Sequence, residues 1–484
     1  MEFNSWEFGI FFIIFYILYW FVFNHKLKSQ NLLILAGSYF FYAWWDWRFL
    51  SLLIGSSIIN YFLGIYIYES KNEKTKSRLL YIGLFQGLSF LFFFKYYNFF
   101  IDSFINSFIN SFGVFNLNTL KIILPLGISF YTFRTISYLL DVHNEKIKPT
   151  KDWVVFFSYV AFFPSLIAGP IDRAGGLIPQ LENKRTLQYS EGVDGLRQIL
   201  WGLFKKIVIA NSCSVITDSI FDNYQTLPAS TLVFGSFLYC IQGYSDFSGY
   251  SDMAIGFSRL LGFNVAKNFN FPFFSQNIAE FWQKWHISFT SFMTEYVFTP
   301  LSFIFRRLGK SGVIIAVLLN FLLIGIWHGD RLTYILFGFL HGCYFIPLII
   351  NGRLNRKSST LENNNMPTIK QFFNMVKTFI LVMLTMVIFK FETISEAFYF
   401  YKSMIATSLF SIPILNSSRI EALILVLFIL FMIIFEWFGR NQEHAMANLE
   451  YKMPKLARWT FYYVIILTIL CYSGSQYQFI YAQF

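Results

Sequence analysis

The sequence predicts an all-α fold, a polytopic transmembrane helical bundle of about eleven spans with interfacial or re-entrant helices. Two observations carry this. The 484 residues are 56% hydrophobic and 22% aromatic but only 13% charged, against about 25% charged in soluble domains. The runs Phe8 to Phe23, Gly312 to Trp327 and Leu423 to Phe435 hold no charge at all. Lipid offers backbone groups no partner, so such runs are helices. A membrane β-barrel would instead alternate apolar and polar residues over segments of about ten.

In order, the spans fall near 8–23, 31–47, 49–68, 79–100, 122–140, 153–169, 196–221, 230–245, 312–327, 332–350 and 371–390. Two further apolar stretches lie near 419–437 and 458–472. The first span follows acidic Glu2 and Glu7 and lacks a small-residue cleavage site before Lys26, so it reads as a retained span rather than a leader. Lys26 and Lys28, and then Lys71, Lys74, Lys76 and Arg78, place two loops on the cytoplasmic side. The N-terminus is then extracytoplasmic, and Trp44, Trp45 and Trp47 suit the outer interface. The chain reads as one membrane domain, 1–484, of the inner membrane. Spans occupy 1–240, and 241–350 forms a core that holds the candidate site residues. A polar loop follows at 351–370, holding Arg353, Arg356, Lys357 and Asn363 to Asn365, and then C-terminal spans and an aromatic tail at 371–484.

The net charge of +11 sits in short loops between spans, and no nucleic-acid-binding motif accompanies it. Cys213, Cys240, Cys343 and Cys471 are scattered through apolar stretches, without metal-ligand spacing, and read as small buried hydrophobes. No internal repeat of the kind that builds secondary transporters is visible.

The block Tyr244 to Leu301 is polar, Gly-rich and aromatic between apolar regions, and reads as irregular backbone with interfacial helices beside a cavity. Within it Tyr-Ser-Asp occurs at 244–246 and again at 250–252. A six-residue spacing gives Asp246 and Asp252 different neighbours on a helix. Further on, Ile278, Phe281, Trp282, Trp285 and Phe289 recur at helical spacing, opposite Asn277, Glu280, Gln283, Lys284 and Ser288, and predict an amphipathic helix.

The six histidines separate by context. His25, His143 and His444 sit among loop residues and read as solvated. His341, inside a span, reads as a packing residue. His286 lies at the apolar edge of the amphipathic segment, as substrate ligand or interfacial anchor. His328 ends the run Gly312 to Trp327 ahead of Gly329, as general base or as a hydrogen-bonded helix end. No Ser-His-Asp elbow, P-loop or dinucleotide fingerprint is present.

Several stretches together resemble the membrane-bound O-acyltransferase superfamily, in the branch of the alginate and peptidoglycan O-acetylation membrane subunits. They are Tyr244-Ser245-Asp246-Phe247-Ser248-Gly249-Tyr250-Ser251-Asp252-Met253-Ala254, Asn268-Phe269-Asn270 with Phe271-Pro272, Ile278-Ala279-Glu280-Phe281-Trp282, Trp285-His286-Ile287-Ser288 and Trp327-His328-Gly329. Upstream, Leu124-Pro125-Leu126-Gly127-Ile128-Ser129-Phe130-Tyr131, Phe163-Pro164 and Ala168-Gly169-Pro170-Ile171 also fit. The resemblance implies a bundle enclosing a funnel or tunnel. It implies acyl transfer from a cytoplasmic thioester, acetyl-CoA, which is a substrate and not a bound cofactor. No metal is implied.

His328 matches the family's catalytic histidine and His286 its second histidine or asparagine position. Asp246, Ser248, Asp252, Glu280, Trp285, Trp327 and Asn270 are then candidates for the tunnel wall. The ending Gln478 to Phe484 is similar to that of branch members, which makes Tyr481 a candidate acyl relay. The implied partners are the bilayer, the acyl donor and an extracytoplasmic acetyltransferase acting on polysaccharide. The competing reading is a transporter or flippase of a lipid-linked or acylated compound; within the enzyme class, a D-alanyl or lipid acyltransferase competes.

Overall fold

The computed structural model describes residues 1–101, 124–354, 366–415 and 418–474. Tyr481 and the run Asn363 to Asn365 lie outside the described residues. The described elements are helices, with no strand among them. Eight helical runs among them are long and apolar enough to cross a membrane. The chain forms two compact units, residues 1–195 with 257–266, and residues 196–256 with 267–484.

The first unit begins with α1 (Trp6–Ile17), which continues as a π-turn over Leu18–Val22. Ser5 caps it by accepting the Phe8 N–H. The hairpin of α2 (Leu27–Asp46) and α3 (Leu50–Glu69) turns at Asp46, whose carboxylate accepts the Arg48 N–H. Next come α4 (Glu73–Phe100) and α5 (Ile128–His143), nearly every residue of which is buried.

The expected span at 153–169 is not one helix. It is α6 (Trp153–Ala161), a break at Phe162, and α7 (Phe163–Leu166). Pro164 has no N–H to continue the ladder, and the carbonyls this leaves at depth need donors. Arg134 of α5 supplies them, donating to the Tyr159 and Val160 carbonyls at 3.2 Å and to the Ser165 carbonyl at 3.0 Å. Asp172 stands 3.7 Å from the guanidinium and accepts the Ala266 N–H at 2.8 Å. The motif around Phe163-Pro164 and Gly169-Pro170 is thus a broken helix held by one buried ion pair. Helix α8 (Ala174–Glu182) follows, and its Leu181 carbonyl accepts from Asn31 of α2.

The second unit takes up the chain within α9 (Tyr189–Leu203). A π-helical segment, Phe204–Ala210, leads into α10 (Asn211–Asp222) and then the 32-residue α11 (Ala229–Leu260). The Tyr-Ser-Asp block, expected as irregular backbone, is therefore helical throughout. Its polar side chains find buried partners, so the helix need not unwind to satisfy them.

Two short helices, α12 (Ile278–Lys284) and α13 (Ile287–Met293), meet at a sharp bend. They replace the single amphipathic helix that the spacing predicts. A π-turn and α14 (Thr299–Ile304) lead to the antiparallel pair α15 (Lys310–His328) and α16 (Leu332–Ile350). A Cβ on Gly338 would stand 2.2 Å from the Phe321 carbonyl oxygen, so the backbones of this pair approach as only glycine permits.

The C-terminal quarter adds α17 (Ile369–Ile388) and α18 (Ile394–Met404), each opened by a capping box. The chain then forms α19 (Arg419–Gly439), α20 (Leu449–Lys452) and α21 (Lys455–Tyr472). His444, expected in solvent, is buried between α19 and α20. Its sequence neighbours are charged, but the segment Ala445 to Ala447 beside it folds inward. Of the cysteines, Cys213 and Cys240 are buried, Cys343 is partly so, and Cys471 is exposed, which departs from the expectation for that residue.

Candidate active site

The bend between α12 and α13 is built by the segment Asn268-Phe269-Asn270. The Asn268 carbonyl accepts the Ile287 N–H at 2.8 Å, and the Asn270 N–H donates to the Lys284 carbonyl at 3.0 Å. Asn268 is fully buried; its amide donates to Ser251 on α11, and its amide oxygen accepts from Ser288 on α13. These bonds force His286 into a left-handed backbone conformation, φ 44° and ψ 53°. Such a conformation is uncommon for a residue with a Cβ and persists only where surroundings over-determine it.

The bend places the His286 ring between Phe247, 4.6 Å away edge-on, and Phe289, stacked at 5.0 Å. Burial in this aromatic nest lowers its pKa to about 3, so the imidazole is neutral at physiological pH. Phe289 in turn stacks on Trp327 at 4.2 Å. His328, the last residue of α15, is buried, with Phe389 edge-on at 4.7 Å.

Both histidines face one cavity of about 40 Å³. From α11 it is lined by Tyr239 and Gly243, and from the α12–α13 bend by Trp282, Trp285, His286 and Phe289. His328, Phe337 of α16, and Met386 and Phe389 at the end of α17 close the other side.

The same helices line a second, larger cleft of about 740 Å³, one turn or two away. There α12 contributes Asn277 and Ile278, α16 contributes Cys343 and Tyr344, and α17 contributes Lys377 and Thr378; Arg353 and Lys370 add basic charge. Between cleft and cavity, in register on all three helices, lies a hydrogen-bonded layer. Trp282 Nε1 donates to His341 Nδ1 at 3.1 Å, and His341 Nε2 meets Thr385 Oγ1 at 3.0 Å. The Nδ1 that accepts from tryptophan carries no proton, so Nε2 holds it and donates to the threonine. His341 is thus the packing residue that the sequence suggests, and it also fixes one wall of the cavity.

On α11 a second polar cluster surrounds the Tyr-Ser-Asp block. A Cβ on Gly249 would lie 2.8 Å from the Gly202 carbonyl oxygen, so α9 and α11 cross there with backbones touching. The π-helical segment just beyond the crossing turns two consecutive lysines inward. Lys205 Nζ lies 2.7 Å from Asp252 and 3.6 Å from Glu436, and donates to Ser248 at 2.9 Å. Lys206 pairs with Asp246 at 2.5 Å. The Tyr244 hydroxyl donates to Glu436 at 2.8 Å, and Gln198 donates to Asp252 at 2.9 Å. The two aspartates accordingly have different partners.

Of the residues singled out in the sequence, Trp285, His286 and His328 line the cavity, and Trp327 stands behind it against Phe289. Asp246, Ser248 and Asp252 belong to the lysine cluster. Glu280 pairs with Lys284 at 2.7 Å and accepts the Gln276 N–H, and Asn270 accepts from Lys267 at 3.1 Å. Sequence reasoning missed Lys205, Lys206 and Glu436. The signal was available, because an ionisable residue inside an apolar span is expensive and marks function or a buried partner. Among the described residues no three His, Cys, Asp or Glu side chains gather as a metal site requires.

Residues 40–389, which include both cavity histidines, match the model of the MBOAT, membrane-bound O-acyltransferase family. The chain is 34% identical to the probable alginate O-acetylase AlgI of Pseudomonas aeruginosa over 435 residues, 89% of this chain and 80% of that one. It is 36% identical to the peptidoglycan O-acetyltransferase of Helicobacter pylori over 338 residues, 64% of this chain and 63% of that one. A more partial match, 30% over 260 residues, joins half of this chain to 64% of the teichoic acid D-alanyltransferase of Bacillus subtilis. With its many apolar helices, this chain is a multi-pass membrane protein that belongs to the membrane-bound O-acyltransferase family and is an O-acyltransferase.

Proposed function

We propose that the chain is an O-acetyltransferase of the inner membrane. It takes acetyl from cytoplasmic acetyl-CoA and delivers it to an extracytoplasmic partner enzyme that esterifies a polysaccharide, alginate-like or peptidoglycan. The observation that carries this reading is the small cavity that His286 and His328 share, walled by aromatic side chains. The names of the Pseudomonas and Helicobacter relatives support acetyl as the group and a polysaccharide as its destination.

In this reading residues 1–484 act as one membrane domain whose helices enclose a funnel, with the N-terminus extracytoplasmic. The basic cleft with Arg353, Lys370 and Lys377 is its cytoplasmic mouth, where cations favour the phosphates of the donor. An imidazole nitrogen of His328 takes the proton of the acceptor hydroxyl as its oxygen attacks the thioester carbonyl carbon. The carbon–sulfur bond breaks, and His328 returns the proton to the departing thiolate. His286, held neutral by burial, donates its N–H to the carbonyl oxygen as charge develops there. The aromatic wall keeps water from the thioester. Tyr481 is the acceptor hydroxyl that carries the acetyl group outward. Asp246, Ser248, Asp252, Glu280, Trp285, Trp327 and Asn270 support the funnel wall around these steps.

Replacing His328 with Ala is the direct test. The variant should fold and retain less than about a hundredth of wild-type CoA release from acetyl-CoA. Wild-type release from that variant would remove His328 from the chemistry.

A further inference from the structure

Three of the four glycines of α11 differ in what demands them. A Cβ on Gly235 would stand 2.7 Å from Ile220 Cγ2, and one on Gly249 would stand 2.8 Å from the Gly202 carbonyl oxygen, so packing requires both. A Cβ on Gly243 would meet nothing within 4 Å. Glycine inside a helix is less favourable than alanine, and neither packing nor an unusual backbone angle at this position accounts for it. What Gly243 does is line the cavity that His286 and His328 share.

We propose that Gly243 determines acyl specificity: the side chain it lacks is the space that the methyl end of an acetyl group occupies. The inference rests on the reading of the cavity as the acyl site. The size agrees. At about 40 Å³ the cavity is small, which suits a short acyl group rather than a long chain. Apart from Gly243 and Met386, the lining side chains are rings, among them Tyr239, Trp282, Trp285 and Phe337. Met386 is the one flexible, unbranched side chain among them, and shortening it is the way to lengthen the cavity without disturbing a ring.

The test uses the full-length chain purified in detergent and measures CoA release from acetyl-, propionyl- and butyryl-CoA. Gly243→Ala should keep or raise the thermal midpoint, because its methyl meets no neighbour, while kcat/KM for acetyl-CoA falls by about 10- to 200-fold, the range one methylene of misfit produces. Met386→Ala should raise the propionyl-to-acetyl ratio of kcat/KM about tenfold or more. Unchanged acetyl kinetics in Gly243→Ala and an unchanged ratio in Met386→Ala, with His328→Ala inactive, overturn the inference and leave the catalytic reading standing. Release that survives in His328→Ala overturns the catalytic reading instead, and the inference with it.

Discussion

At the scale of single residues, the two cavity histidines are both buried among aromatic rings, and the roles proposed for them lead to different tests. His286 sits in an aromatic nest that lowers its pKa to about 3. An unfolded histidine titrates near 6.5, and the folded one gains its proton only well below that. Its ionisation therefore adds nothing to a pH profile measured between about pH 5 and 8. His286→Ala should lower kcat by about 100- to 1,000-fold, the cost of one lost donor to a developing oxyanion. His286→Asn, which keeps an N–H, should recover part of that loss. The pH profile should keep its shape in both, and a moved limb in either would mean that His286 ionises during turnover. The sign for stability follows from the same shift. Between about pH 6.5 and 3 the unfolded chain binds a proton that the folded chain does not, so this group lowers stability as pH falls through that window.

At the scale of elements, the site depends on departures from regular helix. The α12–α13 bend aims His286, and the π-helical segment Phe204–Ala210 turns Lys205 and Lys206 toward α11. The lysine cluster holds α9, α11 and α19 together through Asp252, Ser248 and Glu436. Counting formal charges, two lysines face three carboxylates, so the cluster has no cation to spare. Lys205→Met would keep the volume and leave the buried Glu436 and the half-buried Asp252 without their ammonium. Breaking such a pair from one side typically costs about 3–5 kcal/mol. A thermal-unfolding scan in detergent should show a clearly lowered midpoint, and a midpoint equal to wild type would mean that the carboxylates carry no charge needing that lysine. Replacing Lys284, whose pair with Glu280 is partly exposed, should by contrast move the midpoint little.

At the scale of the whole molecule, the proposed path runs from the basic cleft past the Trp282–His341–Thr385 layer to the histidine cavity, and outward by way of Tyr481. A phenol with a pKa near about 10 is a weak nucleophile unless a base takes its proton, and in the proposed mechanism that base is His328. Tyr481→Phe should leave the fold and acetyl-CoA binding intact and abolish O-acetyl esters on the cell-envelope polysaccharide. Ester levels equal to wild type in that strain would remove Tyr481 from the path.

By itself the sequence determined the class of molecule. A charge content of 13% and long charge-free runs admit no solvent-exposed globular surface, and lipid then requires helices. It also made the order of motifs legible, and the resemblance those motifs carry, rather than the place of a histidine at a helix end, made His328 the candidate base. What it did not decide were the places where backbone and side chain meet across distance. The break at Phe162 depends on Arg134, and the helical state of the Tyr-Ser-Asp block depends on Lys205 and Lys206, none of them adjacent in the chain to what they stabilise. His444 sits among loop charges in the sequence, yet the fold buries it. Composition and periodicity report a residue's own preference for water or lipid. Only tertiary structure decides which partner satisfies a buried polar group, and which glycine faces a neighbour and which faces a cavity.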